Sequence, residues 1–122
     1  MTDWKSPALL ALGALGLLSG CSNSPPKCAD SEATEVVLQI VTHSIEENWS
    51  TFFKNNGIQY QAALSDVRTI EKNKATGSYN CAATVAVNTN HKWFTKSVNI
   101  TYTTERTEDS GKPYVTVYGF KY

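Results

Sequence analysis

The sequence has no run of charge of one sign. Lys and Arg together number 11, as do Asp and Glu, so the formal net charge at pH 7 is zero. Nucleic-acid binding needs a basic surface that displaces counterions from phosphates, and attraction to anionic lipid by charge alone needs one too. The composition therefore argues against nucleic acid as a partner and against charge-driven attachment to a membrane.

The sequence also lacks catalytic and metal-binding motifs. None of the nucleophile-elbow, zinc-peptidase, phosphate-loop or EF-hand patterns occurs. The two histidines, His43 and His91, fall in a predicted helix and a predicted loop. Glu46 and Glu47 are neighbours in sequence, and such neighbours on a helix do not face each other as a pair of catalytic carboxylates would. We therefore predict a protein that is not an enzyme and that uses no metal or cofactor.

A long apolar run is missing as well. Residues 8–18 are 11 consecutive apolar residues, whereas a membrane-spanning helix needs about 20. A run of this length is typical of the apolar region of a secretory signal. The flank before it contains Asp3 and Lys5, and its positive charge is weak.

Directly after this run comes the sequence Leu18-Ser19-Gly20-Cys21. It resembles the lipobox of bacterial lipoproteins, in which two small residues precede the cysteine that is lipidated. The resemblance implies that residues 1–20 are a cleaved signal peptide and that Cys21 carries the lipid. The membrane partner would then be the covalent lipid, because two or more acyl chains anchor a protein firmly. Since Ser22 is not Asp, the resemblance also implies the outer membrane of a Gram-negative host, with the domain facing the periplasm.

Cysteine is scarce, with three residues at positions 21, 28 and 81. If Cys21 is lipidated, Cys28 and Cys81 remain, and they can pair in an oxidising compartment. Such a bridge would contribute roughly 3–4 kcal/mol on the chain-entropy model. Residues 22–27 are polar and proline-rich, which is typical of a linker. We therefore predict a lipidated cysteine with its tether over residues 21–29 and a single domain over residues 30–122.

The hydrophobic period changes once along this domain. A stripe at spacings of three and four, including Val37, Val41, Ile45, Trp49 and Phe52, predicts one amphipathic helix. After it the period becomes two, which predicts strands, with a bulge near Asp66 where the alternation slips. The predicted elements are a helix over residues 31–54 and strands over residues 58–72, 79–88, 94–103 and 114–120.

Strands joined by short connections pair as antiparallel neighbours, and the helix is the one layer available to cover their apolar face. The predicted fold is α+β, with one N-terminal helix packed on a four-stranded antiparallel meander. In element order alone it resembles a cystatin-like or monellin-like arrangement. A bridge between Cys28 and Cys81 would join the start of the helix to the sheet.

Two groups of aromatic residues are candidate binding sites. Tyr114, Tyr118, Phe120 and Tyr122 share one parity of the last predicted strand, so they project outward as a strip if the valines of the other parity pack under the helix. The alternative is that the aromatic side is the core side. Trp93, in the loop before the third strand, is the second candidate.

These features predict a lipid-anchored envelope protein that binds another protein, as accessory parts of secretion or conjugation machines and exclusion factors do. One alternative is an inhibitor of a periplasmic hydrolase such as lysozyme, acting through the loop over residues 88–93. The other is a small-ligand carrier with a cavity under the helix. The predicted localisation is the bacterial cell envelope.

Overall fold

The structure, a computed structural model, describes residues 24–122. One helix packs against a four-stranded sheet in which every neighbouring pair is antiparallel and the strand order follows the chain. The predicted α+β fold is therefore confirmed. The elements are helix α1 (Ser31–Asn55), strands β1 (Tyr60–Lys72), β2 (Tyr79–Thr89), β3 (Lys96–Arg106) and β4 (Pro113–Tyr118), and a short 3-10 helix (Lys92–Phe94) before β3.

Helix α1 buries a narrower stripe than its sequence predicts. Val37, Val41 and Ile45, spaced by four, are fully buried. Phe52 is predicted on the same stripe, but 40% of its surface is exposed, and Ile40, which borders the stripe, is 37% exposed. The sheet therefore covers the centre of the apolar face of the helix and leaves its margins uncovered.

The sheet presents alternate residues to the helix. Along β2, Cys81, Val85 and Val87 are fully buried on the helix side. The predicted bulge in β1 is confirmed, because the pairing with β2 shifts between Ser65 and Arg68. Asp66, inside this shift, has a φ of 53°, a left-handed conformation that few residues other than glycine adopt.

The segment predicted as a tether, residues 21–29, is packed on the domain from Ser24 onward. Pro26 is buried, and Cys28 is 2% exposed. The composition of this segment predicted a linker. The backbone carbonyls of the segment can still accept hydrogen bonds, however, and polar side chains of β3 point at them. Three of them donate hydrogen bonds: Tyr102 to the carbonyl of Cys28 at 2.6 Å, Thr104 to that of Pro26 at 2.7 Å and Arg106 to that of Ser24 at 2.7 Å.

The predicted disulfide between Cys28 and Cys81 is confirmed. The two Cα atoms lie 5.7 Å apart, and 53 positions separate the cysteines in the sequence. The bridge joins the segment before α1 to the inward side of β2. It therefore closes the same junction that the hydrogen bonds from β3 close.

The domain has two distinct ends. The disulfide end contains the segment Ser24–Cys28 and the turns that join β1 to β2 and β3 to β4. The loop end contains the last turn of α1, the 3-10 helix and the chain after β4. Strand β4 was predicted to reach residue 120 but ends at Tyr118, because Gly119 has a φ of 84° and redirects the chain.

Candidate binding site

Aromatic rings fill the loop end of the domain. Phe53 of α1 is 3% exposed, and its ring centroid lies 5.7 Å from that of Tyr60, 5.8 Å from that of Tyr122 and 6.4 Å from that of Phe94. Trp49 packs edge-on against Tyr122 at 5.5 Å. Edge-to-face pairs of this kind add stability beyond the area they bury. The rings thus form a firm base for the loop that follows β2.

That loop is held by its own side chains. The Thr89 amide donates to the Thr95 hydroxyl at 3.0 Å, and the Thr89 hydroxyl donates to the His91 carbonyl at 2.6 Å. The Asn90 side chain bridges to the start of β1, because its amide donates to the Gly57 carbonyl at 3.0 Å and its oxygen accepts from the Gln59 amide at 3.0 Å. The position of the loop is therefore fixed relative to both α1 and the sheet.

Trp93 is the most exposed large apolar side chain on this base, with 74% of its surface accessible. Phe52 of α1, 40% exposed, reaches the same area through Phe94, whose ring centroid lies 5.4 Å away. The Lys92 ammonium lies over the Trp93 ring at 5.7 Å. We call Phe52 together with residues 91–94 the aromatic tip. Trp93 was predicted as a candidate site, whereas the helical period placed Phe52 on the buried stripe of α1.

The outer face of the sheet, opposite α1, carries a second exposed patch. Tyr114 and Tyr118 are 55% and 53% exposed, as the outward strip predicts. Ile70, 60% exposed, lies across the sheet from them, and a shallow cavity of about 240 Å³ is lined by Ile70, Thr101 and Tyr118 among others. We call Ile70, Tyr114 and Tyr118 the outer-face patch. Ile70 was missed because a second shift in strand pairing, between Thr69 and Glu71, obscures its parity.

Phe120 and Tyr122 do not continue the predicted outward strip. Both pack against the core, because the chain turns at Gly119 toward the helix side of the sheet. The Tyr122 hydroxyl donates a hydrogen bond to the carbonyl of Phe94, and burial raises the pKa of Tyr122 above its usual value. The prediction that these two residues face outward is therefore wrong, and Tyr122 instead supports the aromatic tip from beneath.

In the described part of the chain, residues 24–122, the titratable side chains form few close pairs. The Tyr60 hydroxyl donates to Glu46 at 2.5 Å, and burial together with this carboxylate raises the pKa of Tyr60 to about 12. His43 lies 3.5 Å from Glu47 on the exposed side of α1, on a different element from His91. Within residues 24–122, no three His, Cys, Asp or Glu side chains are grouped closely enough to hold a metal ion.

Cys21 and the predicted signal peptide lie outside the described residues. In the part of the chain that the structure describes, no helix is long and apolar enough to cross a membrane. Comparison with known proteins found no matching family model, no matching curated protein and no matching solved structure. The assignment of function therefore depends on the residues and geometry given above.

Proposed function

We propose that this chain is a lipid-anchored protein of the bacterial envelope that binds another protein through its aromatic tip. The observation that carries the proposal is Trp93, which is 74% exposed on a loop that hydrogen bonds hold in one position. Tryptophan in a rigid setting is a frequent anchor of protein interfaces, because little conformational entropy is lost when it is buried. The proposed role is that of a binding module and not of an enzyme.

The packing of the N-terminal segment supports the anchoring part of the proposal. Only Ser22 and Asn23 separate the proposed lipid on Cys21 from Ser24, whose carbonyl is bound by Arg106. The three Cα–Cα steps from Cys21 to Ser24 span at most about 11 Å, so the disulfide end would be held close to the membrane. Strands β2 and β3 have 11 residues each, and at about 3.3 Å per residue they carry the aromatic tip about 35 Å away.

Mass spectrometry tests the anchor. The full chain produced in a Gram-negative bacterium should begin at Cys21 and carry acyl chains there, and it should fractionate with the outer membrane. The Cys21→Ser variant should lose the lipid and leave the membrane fraction. A wild-type chain that keeps residues 1–20 or carries no lipid would contradict the anchoring part of the proposal.

Cross-linked affinity capture from the envelope of the protein's own host tests the binding part. One envelope protein should be enriched with the wild-type chain and lost with Trp93→Ala. Tyr118→Ala is the matched control, because it removes a similarly exposed aromatic ring from the outer-face patch. Loss of the partner with Tyr118→Ala alone would move the binding site to the outer face.

Inhibition of a periplasmic hydrolase is a second candidate, favoured by the way the loop holds His91, Lys92 and Trp93 together at the end of the sheet. Glycosidases such as lysozyme act through paired carboxylates, which a cationic loop suits. The purified chain should then slow cell-wall hydrolysis by lysozyme, and Trp93→Ala should relieve the inhibition. Equal hydrolysis rates with and without the chain would dismiss this candidate.

A further inference from the structure

The zero net charge of the chain conceals an uneven distribution. The segments that build the loop end, residues 48–59, 88–97 and 119–122, contain four lysines and no Asp or Glu, and Glu46, which accepts from the Tyr60 hydroxyl, adjoins them. Carboxylates are concentrated elsewhere, as at Glu108 and Asp109 in the turn between β3 and β4. The loop end is therefore cationic. Its lysines are Lys54, Lys92, Lys96 and Lys121.

These lysines are not neutralised by carboxylates of the chain itself. Among residues 24–122, the ion pairs within 4.0 Å are His43 with Glu47 and Arg106 with Glu32. Lys92 and Lys96 instead lie over the rings of Trp93 and Tyr122, at 5.7 and 5.2 Å. A cation over an aromatic face keeps its full charge. The exposed indole of Trp93 is thus accompanied by ammonium groups that are available to a partner.

We propose that the aromatic tip binds an acidic protein surface that has an apolar recess for Trp93. This inference rests on the proposed function and specifies the chemistry of the partner. Uncompensated lysines around an aromatic anchor fit a carboxylate-rich rim around an apolar centre, because charge complementarity sets specificity and association rate while the buried ring supplies affinity. A protein is favoured over a lipid surface because the proposed anchor lies at the opposite end of 11-residue strands.

Nuclear magnetic resonance of the full chain in zwitterionic detergent tests the proposal with a defined probe. The probe is a synthetic peptide of alternating Glu and Leu, and the control is the same peptide with Gln in place of Glu. The acidic peptide should shift the Trp93 indole resonance and the amide resonances of Lys92 and Lys96, and the neutral peptide should not. Equal shifts with both peptides would overturn the proposal.

Charge variants and vesicles complete the test. Lys92→Gln with Lys96→Gln should weaken binding of the acidic peptide about fivefold, the effect of losing two exposed ion pairs. The matched control, Lys74→Gln with Lys112→Gln, changes the two turns of the disulfide end and should have no effect. Binding of the tip to vesicles rich in phosphatidylglycerol, with no binding of the acidic peptide, would overturn the proposal in favour of a lipid contact.

The failure of this inference is distinguishable from failure of the proposed function. If Trp93→Ala abolishes capture of the envelope partner while the two tip lysines can be neutralised without effect, the tip binds a protein whose surface is not acidic. If Trp93→Ala leaves capture unchanged, the tip is not the binding site. The first result excludes only the acidic partner. The second excludes both the acidic partner and binding of a protein through the aromatic tip.

Discussion

At the disulfide end the domain is joined by a covalent bond and by hydrogen bonds from β3 to the segment Ser24–Cys28, whereas at the loop end it is joined by packed rings. The disulfide and these hydrogen bonds hold the Ser24–Cys28 segment on the domain and leave Pro26 and Cys28 buried. The rings leave Trp93 and Phe52 exposed. This difference underlies the proposal that the disulfide end serves attachment and the loop end serves recognition.

Among variants that probe the two ends, Phe53→Ala is expected to lower the free energy of unfolding the most. The Phe53 ring is 3% exposed and contacts rings on β1, the 3-10 helix and the C-terminal segment. Removing a buried phenylalanine costs about 3–5 kcal/mol, because a cavity remains. Urea unfolding should show this as a lower midpoint. Phe52→Ala is the control, and since Phe52 is 40% exposed its loss should be much smaller. Equal losses would mean that the rings do not hold the loop end together.

Removing the disulfide should have the next largest effect. Cys28→Ala with Cys81→Ala frees a loop of 53 positions, and the chain-entropy model gives a loss of about 3–4 kcal/mol. Chemical unfolding of the double variant and of the reduced wild-type protein should agree within error. An unchanged unfolding midpoint in both would show that the hydrogen bonds from β3 hold the disulfide end without the bridge.

Thr104→Val isolates one of those hydrogen bonds. Thr104 is fully buried and donates to the Pro26 carbonyl at 2.7 Å. Valine keeps the shape but leaves that carbonyl unsatisfied, which costs about 1–3 kcal/mol. The segment should also become more sensitive to limited proteolysis near Lys27. Thr103→Val, on the neighbouring residue of the opposite face, should change neither property. If Thr104→Val equals the wild type in stability and in sensitivity to proteolysis, other contacts hold the Ser24–Cys28 segment on the domain.

The smallest expected effect is a pH dependence at the loop end. Burial and the Glu46 carboxylate raise the pKa of Tyr60 to about 12, while in the unfolded chain it is about 10. The folded state therefore keeps a proton that the unfolded state has lost, so this stabilisation is complete below pH 10 and is lost as the pH rises toward 12. Spectrophotometric titration of Tyr60→Phe should lack the tyrosine that ionises near pH 12. The same high-pH tyrosine in both proteins would refute the assignment.

Much of the fold could be predicted because its signals are local. The period of four in Val37, Val41 and Ile45 identified the helix, and the alternation after Tyr79 identified β2. The slip at Asp66 identified the bulge. Each of these patterns shows which side of a single helix or strand is buried, and residues close together in the sequence are enough to reveal it.

What could not be predicted depends on contacts between distant segments. Residues 24–27 have the composition of a linker, and only their pairing with Thr104 and Arg106, about 80 positions away, makes them part of the domain. Tyr122 shares the parity of Tyr118, but Gly119 reverses its side. Phe52 belongs to the apolar stripe of α1, yet the sheet does not extend far enough to cover it. Trp93 was therefore predicted as a candidate site, but the contribution of Phe52 and Tyr122 to that site was not.

Site-directed photo-cross-linking of the full chain, produced in its own host, tests the central claim most directly. A photoreactive phenylalanine analogue is placed at position 91 in the aromatic tip, at position 118 in the outer-face patch and at position 110 in a turn of the disulfide end. The account predicts that one envelope protein cross-links from position 91, that Trp93→Ala abolishes this product, and that positions 110 and 118 yield none. A protein cross-linked from position 118 or 110 and not from position 91 would contradict it.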